Sequence, residues 1–229
     1  MAINFTGVMK IRLLTLLVYT TLLLSGCLNY YQETRIKTDG SGEMFVHYWM
    51  KAQTLQDSSF IQQSGIFDSD SLRKEFESDY SKTGKVEVYA DSADTTIHAK
   101  VGLTFQYIDS LHYAKAFRES NYSLKSGAVG QKIFSQFISP FATGFGINPE
   151  QFTVTYVYYI PGEIITHNAH EIKRNRLTWK YKLSEIGTGK TITATFRPFK
   201  LKETPVWIYS LAGIVLMIVI LFLFRKNKS

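Results

Sequence analysis

Residues 152–168 read FTVTYVYYIPGEIITHN, and their reading decides the fold class. β-Branched and aromatic residues fill this run, the pattern of a strand. RLTWKYKL (176–183) and KTITATF (190–196) follow with Gly187 and Gly189 between them, so the C-terminal half predicts three adjacent strands in an antiparallel meander. Moving outward, KVEVYA (85–90) and TTIHAKVGLTFQYI (95–108) predict two more strands across a DSAD turn. NYYQETRIK (29–37), TDGSG (38–42) and EMFVHYWMK (43–51) predict a hairpin, with Asp39, Gly40 and Gly42 supplying positive backbone angles. The return strand is largely apolar on both faces, which predicts that both are covered.

Helical spacing of Leu72, Phe76 and Tyr80 predicts a helix over SLRKEFESDYSK (71–82), capped by Asp70 or Ser71. DSLHYAKAFRES (109–120) predicts a second, capped by Asp109 or Ser110. Residues 121–130, rich in Ser and Gly, read as loop, and QKIFSQFIS (131–139) fits a strand or a short helix. FATGFGINPE (141–150) reads as an apolar loop, because Gly144 and Gly146 break any regular pattern around Phe141 and Phe145. The expected class is α+β, a mainly antiparallel sheet with two or so helices, plus a C-terminal transmembrane helix.

The ends carry the membrane signals. Lys10 and Arg12 precede LLTLLVYTTLLL (13–24), the charged and apolar regions of an export signal, and Met9 would serve as its start. Leu24, Ser25, Gly26 and Cys27 resemble a bacterial lipobox in order, which implies cleavage between Gly26 and Cys27 and an acyl group such as palmitate on the Cys27 sulfur. At the other end VWIYSLAGIVLMIVILFLF (206–224) has no charged residue and precedes RKNKS, which predicts a spanning helix with its tail on the cytoplasmic side. Residues 1–26 are thus expected to be a signal peptide, 27–204 an extracytoplasmic domain, 205–224 a transmembrane helix and 225–229 a tail.

The formal charge of +7 is misleading. Five cations flank the two apolar ends and all 19 acidic residues lie between Glu33 and Glu203, so the middle is nearly neutral and nucleic acid is excluded as a partner. One cysteine permits no internal disulfide. Nothing in the spacing supports catalysis. IGTGKT lacks the first glycine of a phosphate loop, since Ser184 stands there, and HNAHE (167–171) matches neither helical zinc signature. DGSG lacks the ligands of a calcium loop. No Gly-x-Ser-x-Gly elbow occurs. No metal or cofactor is therefore expected. In KRNRLTWKYK (173–182), Lys180 and Lys182 share one face and Trp179 and Tyr181 the other, a pattern that suits lipid headgroups or a solvated strand.

The lipobox, the DGSG turn, PGEIITHN, Trp179 and Leu183 in WKYKL, and the C-terminal apolar run together resemble the LppM-like bacterial lipoproteins; NAHEIKRNR is more basic than that pattern. The resemblance implies an α+β lipid-binding domain with an apolar cavity and no catalytic residues. Phe141, Phe145, Trp179, Lys180 and Lys182 are the expected lipid or headgroup contacts. The chain is then expected to be a non-enzymatic lipid or glycolipid binder on the extracytoplasmic side of the bacterial cytoplasmic membrane, held by its acyl anchor and a transmembrane helix. The alternative is an assembly subunit of an envelope protein complex.

Overall fold

A computed structural model describes residues 29–51, 65–140, 149–199 and 206–226. The expectations for the leader, Gly26, Cys27, Phe141 and Phe145 lie outside the described residues. Eleven strands occur among those described: β1 (Asn29–Ile36), β2 (Gly42–Lys51), β3 (Ser81–Asp91), β4 (Thr96–Phe105), β5 (Ser123–Ser126), β6 (Lys132–Ile138), β7 (Thr153–Tyr159), β8 (Gly162–His167), β9 (Glu171–Lys173), β10 (Arg176–Lys182) and β11 (Lys190–Pro198). Helices α1 (Ser69–Phe76), α2 (Leu183–Ile186) and α3 (Val206–Lys226) complete the set with short 3-10 turns.

The strands form two sheets, one of seven in the order β3-β4-β2-β1-β7-β10-β9 and one of four in the order β5-β6-β11-β8. β1 and β7 run parallel. The other paired neighbours are antiparallel. The β1-β2 hairpin forms as its turn residues require. Gly40 sits at φ +90°, and the Asp39 carboxylate accepts from the Ser41 N–H at 3.0 Å and its hydroxyl at 2.7 Å. Gly42 is needed for a different reason, because a Cβ there would lie 2.1 Å from the Arg35 carbonyl oxygen. The expected meander is divided. β7 and β10 pair in the large sheet, whereas β8 and β11 pair in the small one. Pro161-Gly162 is the crossing point, and Gly162 fits because a Cβ would lie 2.2 Å from the Arg197 carbonyl oxygen.

The fold class also needs correction: the described residues are mostly strand with few helices. α1 is capped by Asp68, ahead of the expected Asp70 or Ser71, and its carboxylate accepts from the Ser71 N–H at 2.8 Å. The second expected helix is a pair of 3-10 turns, Ile108–Tyr113 and Lys115–Phe117, and residues 123–126, read as loop, are strand β5. The transmembrane expectation is corrected as well. Residues 206–226 form α3, and residues 207–220, whose side chains are described, are exposed. Among the described residues no helix is long and apolar enough to cross a membrane.

The core of the strand unit lies on one face of the large sheet. Val46, Val101, Tyr158, Leu177 and Trp179 point into it and are fully buried. Two bodies cover that face. Over one part, Leu72 and Phe76 of α1 pack with Phe117, the two phenyl rings meeting edge-on at 5.3 Å. Over the other, the small sheet brings Phe134 to 4.6 Å from the Tyr158 ring. Fully burying side chains of this kind contributes ~1.5–3 kcal/mol each. The opposite face of β2 is not covered as expected: Phe45 is 38 % exposed.

An apolar cavity beneath helix α1

Among the described residues, a cavity of about 370 Å³ opens between α1 and the large sheet. Its size falls within the usual ~300–1,000 Å³ of small-molecule sites. Tyr30 and Tyr48 form one wall and face each other across the β1-β2 ladder. Leu72, Glu75 and Phe76 of α1, with Phe152, Val154 and Leu183, supply most of the rest. The α1 residues point inward because they lie three and four apart on one helix face.

The polar atoms of the lining are accounted for. The Tyr48 hydroxyl donates to the Ile66 carbonyl. The Tyr30 hydroxyl donates to Gln32 Oε1 at 2.9 Å. Glu75 pairs with Lys115 at the edge of the site. Burial, and then the neighbouring phenols, raise the Tyr30 hydroxyl well above its ordinary range, and burial followed by Glu75 raises Tyr48, so both stay neutral at physiological pH.

A second cavity of about 510 Å³ shares Tyr30 and Ala116 with the first and is more polar. Gln32 and Gln136 line it, and behind them Tyr158 donates to Gln136 Oε1 at 2.6 Å and accepts from Gln32 Nε2 at 2.9 Å. Tyr122 accepts from Gln136 Nε2 at 3.2 Å. This network ties the two sheets together, and among the described residues no buried side-chain polar atom lacks a partner. A third concavity, about 440 Å³, lies at the β3 bulge and is lined by charges. Arg35 is already paired there with Glu33 at 3.0 Å.

The structure separates the expected contacts. Trp179 is fully buried, with its indole N–H donating to Asn168 Oδ1 at 2.9 Å, so it presents no surface to a headgroup. Lys180 and Lys182 are exposed on the opposite face, where Lys182 Nζ lies 3.1 Å from Glu150. In HNAHE each imidazole uses Nδ1 to accept a backbone N–H, His167 from Ala169 at 3.1 Å and His170 from Lys180 at 3.0 Å. The cavity residues of β1, β2 and α1 were missed as a group. Hairpin register was the available signal: a turn at Asp39-Gly40 places Tyr30 opposite Tyr48, two aromatics on one face.

This lining can hold a hydrocarbon and exclude water. Its titratable groups are two neutral phenols and a carboxylate already paired with Lys115, and they supply no nucleophile with an adjacent base.

No family model matches the sequence, and no curated protein matches it. Among solved structures, the chain is similar to the NMR structure of the folded domain of the LppM protein from Mycobacterium tuberculosis, over 78 % of this chain and 94 % of that one, with a TM-score of 0.48 and 15 % identity. At that level the likeness assigns no residue a role.

Proposed function

We propose that this chain is an acyl-anchored cell-envelope protein that binds a lipid or glycolipid without chemical conversion, holding one hydrocarbon chain in the cavity beneath α1. The observation that carries this reading is the cavity: about 370 Å³, walled by Tyr30, Tyr48, Leu72, Phe76, Phe152 and Leu183. Each methylene moved from water into such a lining contributes ~0.8 kcal/mol. Glu75 and Lys115 stand at the edge, one of each sign, where the polar part of the ligand would lie. The lipobox at residues 24–27 supports acylation of Cys27 and a position on the extracytoplasmic face of the cytoplasmic membrane.

The test is native mass spectrometry of the full chain, purified from its membrane and released from detergent in the gas phase. A lipid adduct is expected on the wild type, and Ala116→Trp, at the exposed rim shared by the two cavities, is expected to obstruct the entrance and lower its occupancy at least fivefold. Equal adducts on both proteins would contradict the assignment. The second reading, an envelope assembly subunit, is favoured by the partly exposed aromatics Phe45 and Tyr89 on the outer face of the large sheet. A stoichiometric crosslinked partner retained by Ala116→Trp would support it.

A further inference from the structure

The outer face of the large sheet holds an arrangement unrelated to the cavity. His47 of β2 and His98 of β4 lie on adjacent strands, with His47 Nε2 3.0 Å from His98 Nδ1. Their protons are fixed by a chain of hydrogen bonds. The Asp94 carboxylate only accepts, so the Thr96 hydroxyl donates to it. That hydroxyl therefore accepts from His98 Nε2–H at 2.7 Å. His98 Nδ1 is left with a bare lone pair aimed at His47, and His47 Nε2–H donates to it. A histidine whose far nitrogen is tied to a carboxylate through a hydrogen bond is held as metal-ligating imidazoles are held.

We propose that His47 Nε2 and His98 Nδ1 form a surface site for one divalent transition-metal ion, with Cu2+ preferred over Zn2+. The spacing supports the preference. Two nitrogens each ~2.0 Å from an ion and 3.0 Å apart subtend about a right angle, the cis angle of tetragonal Cu2+ and narrower than a tetrahedral Zn2+ site. Cu2+ is also the strongest binder in the divalent series. Binding needs no net proton release: the His47 proton moves from Nε2 to Nδ1, and His98 keeps its proton on Nε2 toward Thr96. The ion lies off the line between the nitrogens, so binding requires each ring, the half-buried His47 and the largely buried His98 alike, to turn by about 40°.

The surroundings fit a neutral pair of ligands. Lys100, across the ladder from His47, opposes a cation, but its Nζ sits over the Tyr89 ring at 4.8 Å. Asp91 and Asp94 offset that charge, with oxygens within 4.8 Å of His98. The rings are also stacked, His47 on Trp49 at 4.5 Å and Tyr89 on His98 at 4.8 Å. Trp49 therefore reports on the site, because bound Cu2+ quenches a neighbouring indole.

The experiment titrates the full chain with Cu2+ and with Zn2+, following tryptophan emission and bound metal by equilibrium dialysis. One saturable Cu2+ per chain with quenching of Trp49 is expected, and Zn2+ at least tenfold weaker. His47→Gln and His98→Gln should each lower Cu2+ affinity tenfold or more, and Thr96→Val, which keeps both imidazoles, roughly tenfold through the lost orientation. His170→Gln should change nothing. His47 is half-buried, so His47→Gln carries the test if His98→Gln fails to fold. Absence of saturable Cu2+ uptake, or uptake unchanged in His47→Gln, would overturn the site.

Discussion

Trp179 shows how one residue's surroundings override its pattern. Alternation with Lys180 and Lys182 marks it as half of an amphipathic strand, which it is, but the pattern does not say which face meets a second sheet. The small sheet lies over its face, and the indole N–H is tied to Asn168, whose Oδ1 also accepts from the Thr193 N–H at 2.8 Å. Trp179→Phe should cost about 1 kcal/mol by losing that bond, and Trp179→Ala ~3–5 kcal/mol by opening a cavity, both read from urea midpoints. Tyr158→Phe deprives Gln32 and Gln136 of a shared partner and should cost ~1–3 kcal/mol in the same assay. Gly162→Ala places a methyl against the Arg197 carbonyl and should cost at least ~2 kcal/mol. A Gly162→Ala protein as stable as wild type would show that the strand crossing between sheets is misdescribed.

The elements were legible where one period dominated. Strands and the α1 face followed from alternation and from Leu72 and Phe76 four apart. The 108–117 segment misled because its buried apolar residues are Ile108, Leu111, Ala114 and Phe117, a strict spacing of three. That is the 3-10 period, not 3.6, and Asp109 and Ser110 supply no cap to the turn. Sheet membership of β8 and β11 was not legible, since nothing in a strand's own sequence names its partner. β1, β2 and β7 together place Tyr30, Tyr48, Tyr156 and Tyr158 on the inner face, and burial raises each hydroxyl above its ordinary range. Tyr31, on the outer face, is raised to about 12 by burial and its bond to Glu33. A raised phenol favours the fold fully below the unfolded value near 10 and ceases to as pH climbs through the folded value. Stability should therefore be level from pH 7 to about 9 and fall above about 10, with denaturation midpoints as the measurement. Midpoints that rise above pH 10 would contradict the burial of these hydroxyls.

At the scale of the whole molecule, the cavity follows from an incomplete match between layers. Among the described residues, a four-stranded sheet covers only part of the face of seven strands, and an eight-residue helix with two 3-10 turns covers the rest around the cavity. The sequence supplied the apolar residues but not the gap, because a gap depends on how far two layers overlap. For the same reason, Trp179, Lys180 and Lys182, expected to meet a lipid, lie elsewhere, and the lining comes mainly from β1, β2, α1, β7 and the start of α2. The most direct measurement is photo-crosslinking of the full chain, in membranes, to a phospholipid carrying a diazirine near the end of one acyl chain, with the labelled residues mapped by peptide mass spectrometry. The account predicts label on Tyr48, Leu72, Phe76 or Leu183 and its loss in Ala116→Trp; label confined to residues outside the cavity, unchanged by Ala116→Trp, would contradict it.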